Sequence, residues 1–439
     1  VMQGQHINGF KPVFFRLVDT GQDQKESELR SGLNRFDSTI QDDFKKIPGS
    51  PIAYWLSDNI KKAFETGYPL GNISSPRKGN STSNNDKFLR YWPEVKITNF
   101  GIRQPEYNSS YRWYPYNKGG GFLKWYGHNN YLIDWQEQGK AIREIPTAVI
   151  ANEQYFFKPG LTWGTVTSAN FSIRWFEDGY IFDNGGCCIF DSGDLRSYLL
   201  ALLNSKILPK ILGAISPTLN FQSGDISKFP VIMNKDILDA INQSSLNLLS
   251  IGRINWDSYE ISWDFTQNPI IRSNQPTLQQ AFNTWQQQNA DAVAEMKRLE
   301  EENNKLFIDA YGLQDELTPD VPDEQITLTR ADREKDSQRL VSYALGCMMG
   351  RYSLDEAGLI YAHAGNQDFN ASRYQTFPAD ADGIIPLTEM HWFEDDATHR
   401  IREFLAAVWG KDTLDANMLW LAESLGKKAS ETAEDTIRR

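Results

Sequence analysis

Between residues 277 and 311 apolar side chains return at every seventh position (Leu278, Trp285, Ala292, Leu299, Leu306), with Phe282, Met296 and Ala310 four residues further on. That period predicts one long helix, a rod of roughly 50 Å at 1.5 Å per residue. Asn289 and Asn303 fall on the second row, between its apolar members, where an asparagine either fixes the register of a packed seam or lies on a solvated edge. Helical spacing continues over 330–349, 394–408 and 414–425, and Gly312, Gly350, Gly410 and Gly426 stand where helix C-caps belong.

Upstream the pattern changes. Residues 10–18, FKPVFFRLV, read as one strand, and 48–64 opens a helix for which Ser57 or Asp58 can serve as cap. From 68 to 190 short apolar and aromatic runs alternate with Gly, Pro, Asn and Ser turns, as a β-rich domain requires. LRSYLLALLNSKIL then predicts a helix capped by Ser192 or Asp194 and ended by Pro209, and SPTLNFQSGDISKFPVI predicts a return to extended chain. The expected class is α/β in the α+β sense: the end of one sheet in 1–49, a mixed β-rich domain in 50–233 and a mainly helical region in 234–439.

Composition changes this picture in one respect. The 439 residues carry a formal charge of −12, but residues 230–439 hold 19 Lys/Arg against 35 Asp/Glu, whereas 71–126 hold nine against three. The acidity belongs to the helical half, and the averaged charge conceals a basic stretch. In that stretch Arg77, Lys78, Lys87, Arg90, Arg112, Lys118 and Lys124 are interleaved with Trp92, Trp113, Tyr116, Trp125 and Tyr126. Cations that meet phosphates beside rings and amides that meet bases are the chemistry of a nucleic-acid surface. The polar run 80–86 supplies hydroxyls and amides, and NKGGGF at 117–122 allows close backbone approach beside Lys118. A solvated basic loop is the plainer alternative.

The three cysteines give neither a disulfide framework nor a CxxC pair and fit a reducing cytoplasm, and the most apolar run is too interrupted for a membrane span. Both ends of the chain read as cuts in a longer polypeptide. Several reactions are excluded by missing residues. None of the 19 prolines adjoins another, so no Asn-Pro-Pro-aromatic motif for methylating an exocyclic amine exists, and there is no phosphate loop or HExxH. His391 and His399 bracket Glu394, Asp395 and Asp396 either as a metal cluster or as an acidic helix start, the second being favoured. Glu295 and Lys297 read as solvated helix charge, and Cys187 and Cys188 as small buried strand residues. TWGTVTSANFSIRW could expose Thr162, Ser168 and Arg174 on a polar face.

Taken in order, PIAYW, NNDKFLRYWPEV, RWYPYNKGGGFLKWYG, LTWGTVTSANFSIRW, LLALLNSKI, PTLNFQSGDISKFPV, WDSYEISWDF, NNKLFIDAYGLQDELTP, SYALGCMMGRYSLDEAGLIYA and IIPLTEMHWFEDDATHRIREFL resemble the C-terminal part of the PglX family. These are the adenine-specific DNA methyltransferases of bacterial BREX phage-defence systems, and type IIG restriction-modification enzymes are similar. The resemblance implies a catalytic domain upstream of Val1 that binds S-adenosylmethionine, a target-recognition domain over 50–233 and a helical spacer beyond. It implies double-stranded DNA and other defence proteins as partners, and a DNA-mimic inhibitor as a competitor for the same basic face. Catalytic and metal residues are expected to be absent from this segment. The DNA contacts it points to are Lys78, Asn80, Thr82, Asn84, Asn85, Lys87, Tyr116, Asn117, Lys118, Gly119, Gly120, Lys124 and Arg174. Where the family often has Gly-Leu-Ala-Thr-Gly-Asp-Asn this chain has GNSTSNN, with Ser83 in place of a glycine, so base preference is expected to differ. The rivals are a type IIG specificity segment and a module for protein interaction; a carbohydrate-binding domain would leave the basic excess unexplained.

Overall fold

A computed structural model describes residues 7, 9–18, 20–166, 170–215, 220–362 and 369–439. Helices take 44% of the chain and strands 11%, and the last strand among the described residues is Pro230–Val231, so the fold is α+β with its sheets in the first half.

Two four-stranded sheets carry that half. The first runs in the order Ile181–Phe182, Trp113–Asn117, Tyr131–Asp134, Leu89–Tyr91, with its first pair parallel and the rest antiparallel. The second, Ser75–Arg77, Gly186–Phe190, Gly160–Gly164, Ile173–Phe176, is antiparallel throughout. Strand alternation explains how they stack. In the fully buried strand Gly186–Phe190, Cys188 and Phe190 share an aromatic core with Tyr114, Tyr116 and Ile133 of the first sheet, whereas Cys187 and Ile189 face a second core built with helices. The second sheet is therefore the middle of three layers.

That helical layer comprises Arg196–Leu203, Ile207–Ile215, Leu238–Asp257 and the later half of Leu278–Tyr311. The expected single helix ending at Pro209 is instead two: the first stops at Leu203, and Pro209 falls in the opening turn of the next, where a missing N–H costs nothing. Neither Ser192 nor Asp194 caps it by a side-chain bond. The expected extended run after 216 is also interrupted, by the short helix Ser223–Ile226; residues 216–219 lie outside those described. Of the strand expected over 10–18 only Phe14–Phe15 pairs, with Arg35–Phe36. Pro12 has no N–H to give a ladder, and no longer partner is offered among the described residues.

The long helix forms as its period predicts, from the Thr277 cap, whose side chain accepts from Gln280 N, to Gly312 in the left-handed region. It serves two cores. Leu278, Ala281, Phe282 and Trp285 pack with Arg333–Met348, Ala397–Trp409 and Leu414–Ser424, while Met296, Leu299, Phe307 and Ile308 pack beneath the sheets. Its asparagines are inside the seam: Asn289 donates to Thr329 O and accepts from Ala331 N, and Asn303 donates to Ala201 O. Each binds the backbone of a different neighbour, so the rod has one register against both halves.

Candidate nucleic-acid interface

The basic stretch divides into two parts with different surroundings. The first follows the strand Ser75–Arg77 through a turn into the short helix Asn85–Phe88. Asn80 and Thr82 lie inside this turn and shape it. Asn80 donates its backbone N–H to Phe182 O and accepts from Ala151 N, and Thr82 donates its hydroxyl to Asn85 Oδ1. Asn84 caps the helix by accepting from Lys87 N at 3.0 Å. Ser83 sits at φ 56°, the left-handed backbone that favours glycine, and donates to Thr147 O. What remains outside is Lys78, Asn84, Asn85 and Lys87, all exposed.

The second part, 116–125, is drawn inward by two acids far away in sequence. Buried Asp183 accepts from Tyr116 Oη at 2.8 Å, Lys118 Nζ at 3.0 Å and Gly185 N at 2.7 Å. Burial, then this carboxylate, pushes the Tyr116 phenol well above its ordinary pKa. Glu300, 2% exposed on the long helix, accepts from Lys124 Nζ at 2.6 Å and Trp125 Nε1 at 2.7 Å. Lys124 is 8% exposed and its backbone N–H donates to Thr327 Oγ1. Arg174, 1% exposed, braces the glycine run by donating to Gly119 O at 3.0 Å and Leu123 O at 3.4 Å, and burial lowers its pKa to about 10.

The glycines themselves permit chain-on-chain packing. A Cβ on Gly119 (φ 90°) would meet Gly185 O at 2.5 Å, and one on Gly164 would meet Gly120 O at 2.8 Å. Close approach to a phosphate, the reason expected from the sequence, is thus replaced at Gly119 by close approach to a neighbouring loop; Gly120 keeps an exposed backbone.

Of the thirteen residues expected at DNA, then, Asn80, Thr82, Tyr116, Asn117, Gly119, Lys124 and Arg174 are buried. Lys118 is half-buried and paired, and Lys78, Asn84, Asn85, Lys87 and Gly120 are exposed. Thr162 is inside as well, donating to Cys187 O, and Ser168 lies outside the described residues. The same sorting applies to the nine cations of 71–126. Arg103 pairs with Asp264 and Arg112 with Asp134, as Lys118 does with Asp183 and Lys124 with Glu300, while among the described residues Arg77, Lys78, Lys87, Arg90 and Lys96 have no carboxylate partner.

The fold brings the two parts together at one cleft of about 410 Å³, lined by Asn85, Asp86, Leu89, Arg90, Tyr91, Glu94, Lys118 and Tyr131. Tyr91 and Tyr131 are missing from the sequence expectation. They are register partners across adjacent strands, and the only local signal was a tyrosine at the end of one apolar run and another at the start of a second.

The other singled-out groups are structural. Cys187 and Cys188 are buried, and desolvation raises both thiols, Cys187 to about 12, so neither is poised as a nucleophile. Asp396 caps the helix Ala397–Trp409 through His399 N and also accepts from His391 Nδ1 and Arg438, the favoured helix-start reading. Glu295 pairs with Arg298 and Lys297 with Asp323 on the solvated side of the rod. Among the described residues no group of His, Cys, Asp and Glu could hold a metal ion, and no helix is long and apolar enough to cross a membrane.

No protein-family model matches the chain. Two curated proteins do. Adenine-specific methyltransferase BrxX of Escherichia coli O9:H4 (strain HS) is 36% identical over 469 aligned residues, and adenine-specific methyltransferase PglX of Lacticaseibacillus casei (strain Zhang) is 36% identical over 462. Each alignment takes in 100% of this chain and 38% of the relative, so the chain spans well under half the length of the proteins it matches. Along its whole length the chain is similar to the C-terminal part of these two adenine-specific methyltransferases.

Proposed function

We propose that this chain is the DNA-recognition and helical part of a site-specific DNA N6-adenine methyltransferase that marks host DNA in bacterial anti-phage defence. In this reading residues 50–233 read the site, 234–439 form the spacer and docking body, and 1–49 close the methyltransferase domain. The observation that carries it is the exposed arm of Lys78, Asn84, Asn85 and Lys87 beside a tyrosine-lined cleft, in a chain homologous to adenine-specific methyltransferases. Free cations set affinity and register on the phosphates, and the amides beside them can donate to and accept from base edges.

The glycine run builds no cradle for S-adenosylmethionine at Gly119, which packs against Gly185, and the chain holds no Pro-Pro-aromatic sequence. The cofactor and the transfer step are therefore assigned to the part of the relatives that this chain does not span. Its place of work is the cytoplasm, with duplex DNA and other defence proteins as partners.

The test is binding of the chain to duplex DNA across a salt series. Affinity that falls steeply with salt, and that prefers duplexes carrying the site methylated in the host, supports the reading. Affinity independent of salt and sequence overturns it.

A further inference from the structure

We infer that the cavity where the two cores meet binds a small organic cation with an apolar body, of the amidinium, guanidinium or ammonium class. The site is separate from the exposed arm and does not depend on the DNA reading.

The cavity is about 430 Å³, within the range of small-molecule sites. Tyr126 and Leu328 reach it from the core beneath the sheets, and Phe265 and Ile270 from the core of the helical body. Trp256, in the last turn of the helix Leu238–Asp257, packs on the first core, and Tyr259, just beyond that helix, packs on the second. Aromatic side chains from both halves thus line one space.

Charge decides what those walls hold. Four charged side chains line the cavity: Lys124, Glu260, Asp336 and Arg339. Three of them are already matched. Lys124 is sealed against Glu300 at 2.6 Å, and Asp336 pairs with Arg339 at 2.6 Å while accepting from Trp285 Nε1 at 3.1 Å. Glu260, half-buried, is the remainder. Among the described residues it makes no ion pair; it is held by the hydroxyls of Ser342 and Tyr352 and feels the Arg351 charge through space. Burial, the largest influence, raises its pKa, as for a carboxylate short of a counter-charge.

The rings favour the same sign of ligand. Tyr126 carries Arg253 at 4.7 Å from its ring centre and Tyr259 carries Arg339 at 4.4 Å, so this wall already attracts guanidinium groups of the protein itself. Trp256 and Phe265 carry none among the described residues. A cation in the cavity gains from these rings and supplies the charge that Glu260 lacks. An anion would meet that carboxylate as a like charge, and a neutral molecule would bury it further without compensation.

Isothermal titration calorimetry of the full chain at mildly alkaline pH tests this with benzamidinium chloride against benzamide, which has nearly the same shape and no charge. Benzamidinium should bind at least about fivefold tighter, the gain expected of one cation over an aromatic wall partly removed from water. Glu260→Gln, which can still accept from Ser342 and Tyr352, should remove that preference. Thr329→Trp, at an exposed position on the rim, should weaken both compounds with Glu260 in place. Unchanged denaturation midpoints separate loss of the site from loss of the fold, and if Glu260→Gln unfolds, Thr329→Trp decides. Equal affinity for the two compounds, binding of neither, a preference that survives Glu260→Gln, or benzamidinium affinity untouched by Thr329→Trp overturns the inference.

Discussion

Residues 78–90 and 117–124 have nearly the same chemical content, cations set among aromatic and small polar residues, yet the fold treats them in opposite ways. In the first, Lys78 and Lys87 stay in water without carboxylate partners. In the second, Lys118 is bound to Asp183 and Lys124 is sealed against Glu300. A free surface lysine contributes little to stability and keeps its full field for a ligand, whereas a buried ion pair is a structural joint whose removal exposes an uncompensated charge. A basic run in sequence thus marks two distinct roles here, contact and clamp.

The clamp predicts the largest effect. Glu300→Ala strips the acceptor from both Lys124 and Trp125 and should cost about 3–5 kcal/mol in chemical denaturation. Converting the pair together, Lys124→Met with Glu300→Leu, should recover most of that loss, because the desolvated charges disappear together. If Glu300→Ala denatures like the wild type, residues 117–124 are no clamp and the contrast between the two parts collapses.

On the contact side, Lys87→Glu should weaken duplex binding and lower the magnitude of the salt slope by about 1, the value of one phosphate contact. Its denaturation midpoint should stay within about 0.5 kcal/mol of the wild type, as for an exposed substitution away from any core.

Acid should loosen the clamp before it touches the arm. His128, beside the glycine run, is held neutral with its pKa lowered to about 4, by burial first and the Arg174 charge second. The unfolded chain binds that proton near 6.5, so the stability His128 contributes is complete above 6.5 and drains as pH falls through about 4. Urea midpoints measured down this range should fall, and His128→Gln should flatten that part of the profile.

Ser83→Gly should have the smallest effect. It relieves a left-handed φ of 56° but loses the bond to Thr147 O, so a net change of under about 1 kcal/mol is expected, in the stabilising direction. At this position the resemblance to the family already pointed to glycine, which the backbone geometry explains.

What was legible from sequence was local. The long helix, its Thr277 start and its Gly312 end follow from a seven-residue period and cap chemistry, and Ser57 caps the helix Asp58–Thr66 as expected. Within 78–87 the Thr82–Asn85 bond and the Asn84 cap on Lys87 N are local, whereas Asn80 and Ser83 are held by Phe182, Ala151 and Thr147 far along the chain. The fate of 117–124 was not legible, since Lys118 meets an acid 65 positions away and Lys124 one 176 positions away. Arg174 misled for the same reason: in a strand it can face water or the core, and only the packing of Gly119 and Leu123 decides which. Tyr91 and Tyr131 became a pair through strand register, which no composition reveals.

The measurement that bears most directly on the division into contact and clamp is a paired salt titration of duplex binding by Lys87→Glu and Lys124→Met. The account predicts a shallower salt slope for Lys87→Glu with unchanged stability, and an unchanged slope for Lys124→Met with a lowered denaturation midpoint. A slope reduced by Lys124→Met and untouched by Lys87→Glu would contradict it.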